Sequence, residues 1–291
     1  MPLLECVPNF SEGHDTGVVV EIVNAIASAP GVAVLGYEMD SDHNRSVVTF
    51  AGEHDAVVAG AVRGAARAAE LIDIRERTGV HPRVGAADVI PFIPLDGSSM
   101  ADAVDAAGEA GEKIWARAGV PVYFYGEAAR TESRRRLEKT RRTGFDGAPP
   151  DIGDIASHPS AGASMVGARD FLVAYNVDLT TSDVNVAHAI AKVIRESSGG
   201  FPYVKSIGLY LASRDRAQVS MNLTKFDQIP LDEVYSKIEA TARQLGAGVA
   251  ACELIGFVPE RAFNMFPAFF QRAGNFSEAR ILEFRLRQLL P

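Results

Sequence analysis

The densest chemistry in this chain sits in one stretch, Arg77-Thr78-Gly79-Val80-His81-Pro82-Arg83-Val84-Gly85-Ala86, directly ahead of an apolar run. Imidazole is the side chain whose ordinary pKa lets it take and give a proton near pH 7. Pro82 fixes the backbone just after His81, and Gly79 and Gly85 permit close approach by a ligand or neighbouring backbone. Arg75, Arg77 and Arg83 flank the histidine, and cationic neighbours favour neutral imidazole, the form a general base needs. A structural histidine at a loop-to-strand junction is the competing reading.

Two further polar clusters make sense if they converge on this stretch. The first is Asp40-Ser41-Asp42-His43-Asn44-Arg45. Two carboxylates and a histidine invite a metal, but no second His/Cys/Asp cluster follows at ligand spacing, so no metal is expected. A solvated turn is one alternative. The other is that Asp40 or Asp42 pairs with a cationic substrate group while Arg45 holds a carboxylate. The second cluster, residues 153–162, lies in a Gly/Pro/Ser/Ala-rich segment over 143–164 that reads as a long functional loop.

The residues Arg130, Arg134, Arg135, Arg136, Lys139, Arg141 and Arg142 form a basic run that is either a solvated helix face or a steering field for an anion. Asn9 and Glu127 fall at strand ends, where site residues and plain turn or surface residues both occur.

The elements that must position these residues follow from periodicity. The pattern predicts strands over 3–10, 32–35, 46–50 and 89–95, with a helix through Val18, Ile22, Ala25 and Ile26 that stops at Pro30-Gly31 and another over 55–71, in the order β-α-β-β-α-β. A helix over 98–118, a strand over 120–125 and a basic helix over 130–142 extend it. Strands over 171–179, 204–212, 218–223 and 249–258, with helices after 180 and after Pro230, then repeat the order. Helical material over 262–290 ends the chain. This is an α+β architecture of two ferredoxin-like (βαββαβ) subdomains, 1–180 and 181–291, the second with a first strand that begins near 170. A ligand cleft or tunnel between the copies is expected.

Composition narrows the class. The chain has 291 residues, 47% hydrophobic and 23% charged, with net charge −8. That balance argues against a nucleic-acid or anionic-membrane partner, and the aromatic sheet motifs of RNA-binding domains of this topology are not found. Cys6 and Cys252 are far apart and read as buried strand residues. Without a signal-peptide pattern at the start or a bilayer-length apolar run, a cytoplasmic protein is expected.

Specific motifs then run the length of the chain in order. They are Glu5-Cys6-Val7-Pro8-Asn9-Phe10-Ser11-Glu12-Gly13, Asn44-Arg45-Ser46-Val47-Val48-Thr49-Phe50 and His81-Pro82-Arg83-Val84-Gly85-Ala86. Further on come Pro91-Phe92-Ile93-Pro94, Pro121-Val122-Tyr123-Phe124-Tyr125-Gly126-Glu127-Ala128-Ala129-Arg130, Gly162-Ala163, Gly167-Ala168-Arg169 and Ala174-Tyr175-Asn176. Together they resemble the glutamate formiminotransferases, and the resemblance is to the stand-alone prokaryotic form, without the cyclodeaminase domain that follows in the animal enzyme.

The resemblance implies two ferredoxin-like subdomains with folate between them and transfer of a formimino group from N-formimino-L-glutamate to tetrahydrofolate, in histidine breakdown. It places the catalytic histidine on His81. It places the folate-contacting segment on Gly153, Asp154, Ile155, Ala156, Ser157, His158, Pro159, Ser160, Ala161 and Gly162. An acidic residue before the Asn-Arg pair falls best on Asp40, with Asp42 not separable from it.

Tetrahydrofolate would be a co-substrate, with small-molecule partners and a homodimer. The formimino carbon of an amidine is already electrophilic, so neither a metal nor a covalent intermediate is required. Formyl transfer from 5-formyltetrahydrofolate, a non-catalytic folate-binding protein and a scaffold for a cyclodeaminase partner are the alternatives.

Overall fold

The computed structural model describes all residues except 1, 77–78, 81, 96, 144–148, 155–157 and 291. It divides into two compact units, Met1–Asp170 and Phe171–Pro291. Both are mixed α and β.

In the first unit the chain runs β1 (Leu4–Cys6), β2 (Asn9–Phe10), α1 (Thr16–Ala27), β3 (Ala33–Asp40), β4 (Arg45–Gly52), α2 (His54–Leu71) and β5 (Ala87–Pro94). It continues through α3 (Met100–Ala118), β6 (Val122–Gly126), α4 (Leu137–Thr143) and β7 (Ser164–Ala168). β1 and β2 lie end to end between β4 and β5, antiparallel to both, and β3 pairs antiparallel with the outer side of β4. Beyond β5 the sheet continues with β7 and then β6, both parallel to it.

Strand alternation explains the two faces. Ile90, Phe92 and Phe124 join Ile22, Val58, Ala65 and Ile114 of the helices in the main core, while Val89, Tyr123, Tyr125 and Met165 form a smaller cluster on the opposite face. Each fully buried Ile or Phe contributes roughly 1.5–3 kcal/mol. The helix ends follow local chemistry: Asp15 accepts from Gly17 and Val18 N–H to cap α1, and Ser99 with Asp102 forms a capping box on α3.

The second unit runs β8 (Val173–Leu179), α5 (Val184–Ile194), β9 (Val204–Leu211), β10 (Arg216–Leu223), α6 (Leu231–Gln244) and β11 (Val249–Ile255). Its sheet order is β11-β8-β10-β9, every neighbour antiparallel. That is fourth, first, third, second along the chain. Taking β1 and β2 as one strand, the first unit places β5, β1/β2, β4 and β3 in the same order. α7 (Glu260–Met265), α8 (Pro267–Gln271) and α9 (Leu282–Leu289) follow. Phe269 packs its ring 4.3 Å from that of Tyr175, whose hydroxyl donates to the Phe269 carbonyl.

Several elements differ from the expected ones. The strand over 3–10 is interrupted at Val7 and Pro8, because proline has no N–H for the ladder. The polar residues 38–40 belong to β3, so the turn shrinks to 41–44. The basic run is not one helix: a short 3₁₀ turn at Glu132–Arg134 precedes α4. β7 was not expected at all.

Candidate active site

Described residues on both sides of His81 bring the three polar clusters together. The imidazole itself lies outside the described residues, as do Arg77, Ile155, Ala156 and Ser157. Val80 N–H donates to the Asp42 carbonyl at 3.3 Å, and Arg83 Nη2 donates to the His43 carbonyl at 3.1 Å. On the other side Ala86 N–H donates to the Ala161 carbonyl at 2.8 Å and Ala163 N–H to the Val84 carbonyl at 3.1 Å. Ser11 adds a third wall: its N–H donates to the Ala86 carbonyl and its Oγ to the Gly85 carbonyl.

Glycine makes this approach possible at two points. A Cβ on Gly85 would lie 1.9 Å from the Ala163 carbonyl oxygen, and one on Gly79 would lie 2.6 Å from the His43 carbonyl oxygen. Both positions need glycine for space.

The β3–β4 hairpin presents Asp40 and Arg45 opposite each other in register. Asp40 Oδ1 accepts His43 N–H at 2.8 Å, which stabilises the turn. Asn44 is buried at φ +45°, and its Oδ1 accepts Gly13 N–H at 2.9 Å. Arg45 reaches inward, with Nε donating to Asn9 Oδ1 and Nη1 to Asp88 Oδ2, each at 2.9 Å. Burial lowers the Arg45 guanidinium to about 10, aided by Arg141 and Arg83 and opposed by Asp88. It stays cationic at neutral pH.

In the second cluster, Gly153 (φ +94°) packs against the Trp115 ring and Asp154 is exposed. His158 and Gly162 exchange backbone hydrogen bonds around Pro159 and Ser160, and His158 Nδ1 accepts Ala161 N–H at 3.0 Å. The Ser160 carbonyl accepts Ile74 N–H. So residues 158–162 form a turn docked on the His81-bearing stretch.

Other expected residues lie elsewhere. Glu127 follows the end of β6, with Gly126 level with Phe92 across β7, whereas Asp88 and Asn9 flank Val89 at the start of β5. At about 3.3 Å per residue that separates Glu127 from Asp88 by several strand positions, and its carboxylate pairs with Arg135. Arg75 pairs with Asp73 on the surface. Arg130 and Arg134 fold back on Asp151 and lie over Phe124 and Tyr123.

Asp88 is what sequence reasoning missed. It is fully buried, and it accepts from Val84 N–H at 2.7 Å, Arg45 at 2.9 Å and Arg141 at 2.6 Å. Its one signal was a carboxylate at the mouth of an otherwise apolar strand. Among the described residues His54, Asp55 and Glu109 also cluster, with ligand atoms within 4.8 Å, but they are surface groups of α2 and α3 and Glu109 already bonds His54 and Lys113. No helix of the described residues is long and apolar enough to cross a membrane.

Known proteins give this chain its family. The model for the N-terminal subdomain of the formiminotransferase domain matches residues 3–169, and that for the formiminotransferase domain matches 174–285. A glutamate formimidoyltransferase of Thermoplasma acidophilum is 40% identical over 99% of this chain and 98% of its own length. One from Streptococcus pyogenes serotype M1 is 38% identical over 98% of each. The formimidoyltransferase-cyclodeaminase of Gallus gallus is 42% identical over 89% of this chain but only 51% of its own length. The chain belongs to the formiminotransferase family.

Proposed function

We propose that this protein is a glutamate formimidoyltransferase, moving the formimino group of N-formimino-L-glutamate to N5 of tetrahydrofolate. The observation that carries the proposal is the joining of three segments around one loop: the stretch bearing His81 is hydrogen-bonded to the 40–45 hairpin and to the turn at 158–162. Near-full-length identity to proteins of that name supports it.

The formimino group is an amidine, cationic at neutral pH. Asp40 keeps Oδ1 on the turn and can offer Oδ2 to that cation, and Asp42 is the alternative. N5 attacks the amidine carbon to give a tetrahedral intermediate. His81 takes the N5 proton and delivers one to the departing glutamate nitrogen as the old C–N bond breaks. Residues 153–162, with Asn9, are the folate and substrate contacts in this proposal; Glu127, paired with Arg135 several strand positions from Asp88, is left out of it. Each unit is read as ferredoxin-like on its strand order, and a homodimer and a cytoplasmic location belong to the same reading.

The test is a direct assay of purified protein with both substrates, following the product by its conversion in acid to the absorbing methenyl form. Turnover supports the proposal. Activity only with N-formylglutamate or 5-formyltetrahydrofolate would replace it with formyl transfer, and folate binding without either activity would make the chain a binding protein.

A further inference from the structure

Arg141 departs from the rest of its basic run. Arg130, Arg134 and Arg135 pair with Asp151 and Glu127 at the edge of the unit, but Arg141 turns inward and bonds Asp88. Thr140 beside it is buried and donates to the Arg134 and Arg136 carbonyls, which fixes the segment that presents it. Its Nε is buried and has no hydrogen-bond partner. A cationic N–H in that state is costly to leave without an acceptor.

Asp88 gathers the pieces. Its Oδ2 takes both Arg45 and Arg141, and its Oδ1 takes the N–H of Val84 on the His81-bearing stretch. Two guanidinium groups on one carboxylate leave that trio one positive charge in excess. Such a pair suits a planar anion, which accepts two N–H donors at once.

Position selects which anion. In N-formimino-L-glutamate the α-carboxylate hangs on the carbon that bears the reacting nitrogen. In tetrahydrofolate the carboxylates lie beyond the aminobenzoyl ring, far from N5. A seat tied through Val84 to the proton-transfer loop is within reach of the first and not of the second.

We propose that Arg141 and Arg45 seat the α-carboxylate of the formimino donor, with Asp88 as the positioning residue that holds both guanidinium groups against the His81-bearing loop. This rests on the transferase reading above. It also assigns Arg141 to the amino-acid substrate rather than to a general steering field or a solvated face.

The test is steady-state kinetics on wild type, Arg141→Met and Asp88→Asn, with N-formimino-L-glutamate and with its α-carboxamide analogue, tetrahydrofolate being the acceptor. Wild-type turnover of the acid comes first; its absence removes the transferase reading whatever Arg141 does. Given turnover, the acid should exceed the amide by about 10- to 100-fold in kcat/KM, the range for a charge-assisted contact. Arg141→Met should raise the donor KM by about the same factor, leave the tetrahydrofolate KM within about threefold, and erase the preference for acid over amide. Asp88→Asn should shift the same two quantities less; should it not fold, Arg141→Met still decides. A wild type indifferent to the amide, a preference that survives Arg141→Met, or a rise confined to the tetrahydrofolate KM would overturn the proposal.

Discussion

The hairpin between β3 and β4 and the one between β9 and β10 turn in the same way. Residues 41–44 and 212–215 link strands paired Asp40 to Arg45 and Leu211 to Arg216, and each turn ends at positive φ, +45° at Asn44 and +48° at Asp215. Their settings differ. Residues 212–215 are exposed, whereas His43 and Asn44 are buried beneath the loop at 79–85. Burying a polar turn demands a partner for its polar groups, and those partners are the loop itself, through Val80 and Arg83, and Gly13. Of the two hairpins, the one that another segment covers is the one read as part of the candidate site.

Two buried aspartates show the same contrast. Asp88 holds Arg45 and Arg141, whose side chains are 11% and 15% exposed. Asp178 holds Gln218 and Arg214, the latter 41% exposed. Removing Asp88 strands two nearly dry cations, so Asp88→Ala should cost about 3–5 kcal/mol in urea unfolding. Asp178→Ala leaves its arginine in water and removes one acceptor from the buried Gln218 amide, so it should cost about 1–2 kcal/mol. Equal losses would dissolve the distinction.

Glycine sharpens it further. Gly85→Ala drives a Cβ onto a backbone carbonyl and should cost about 3 kcal/mol. Gly246, in the second unit at φ +76°, has open space around its Cβ position, so alanine there should cost only about 1 kcal/mol.

The smallest effect concerns the thiols. Burial is the main cause that pushes both Cys6 and Cys252 upward, Cys6 well above the usual thiol range. A raised pKa means less thiolate at pH 8, so both should react slowly with an aromatic disulfide, and Cys252 should react before Cys6. The reverse order would mean that the first unit opens more readily.

How much of this the sequence disclosed depends on whether the signal is local. Apolar period, the turn after Asp40 and the run of Gly, Pro and His at 79–86 are local, and they disclosed the element order and the stretch to which the other two polar clusters are hydrogen-bonded. Asp88 was hidden because Arg45 and Arg141 lie 43 and 53 residues away from it. The strand β7 was hidden because Ser164, Gly167 and Ala168 carry little β-propensity, and it is stable only by pairing on both edges with β5 and β6. The split in the basic run follows from arginines that reach back to Asp151, a contact invisible in helical periodicity.

The central claim is that the loop at 79–86, held between hairpin and turn, supplies the proton transfer. His81→Ala tests it most directly, assayed with N-formimino-L-glutamate and tetrahydrofolate beside a urea unfolding curve. Turnover should fall about 10²–10⁴-fold, the usual share of a general acid/base, with the unfolding midpoint unchanged. Near wild-type turnover in a folded His81→Ala protein would contradict the account.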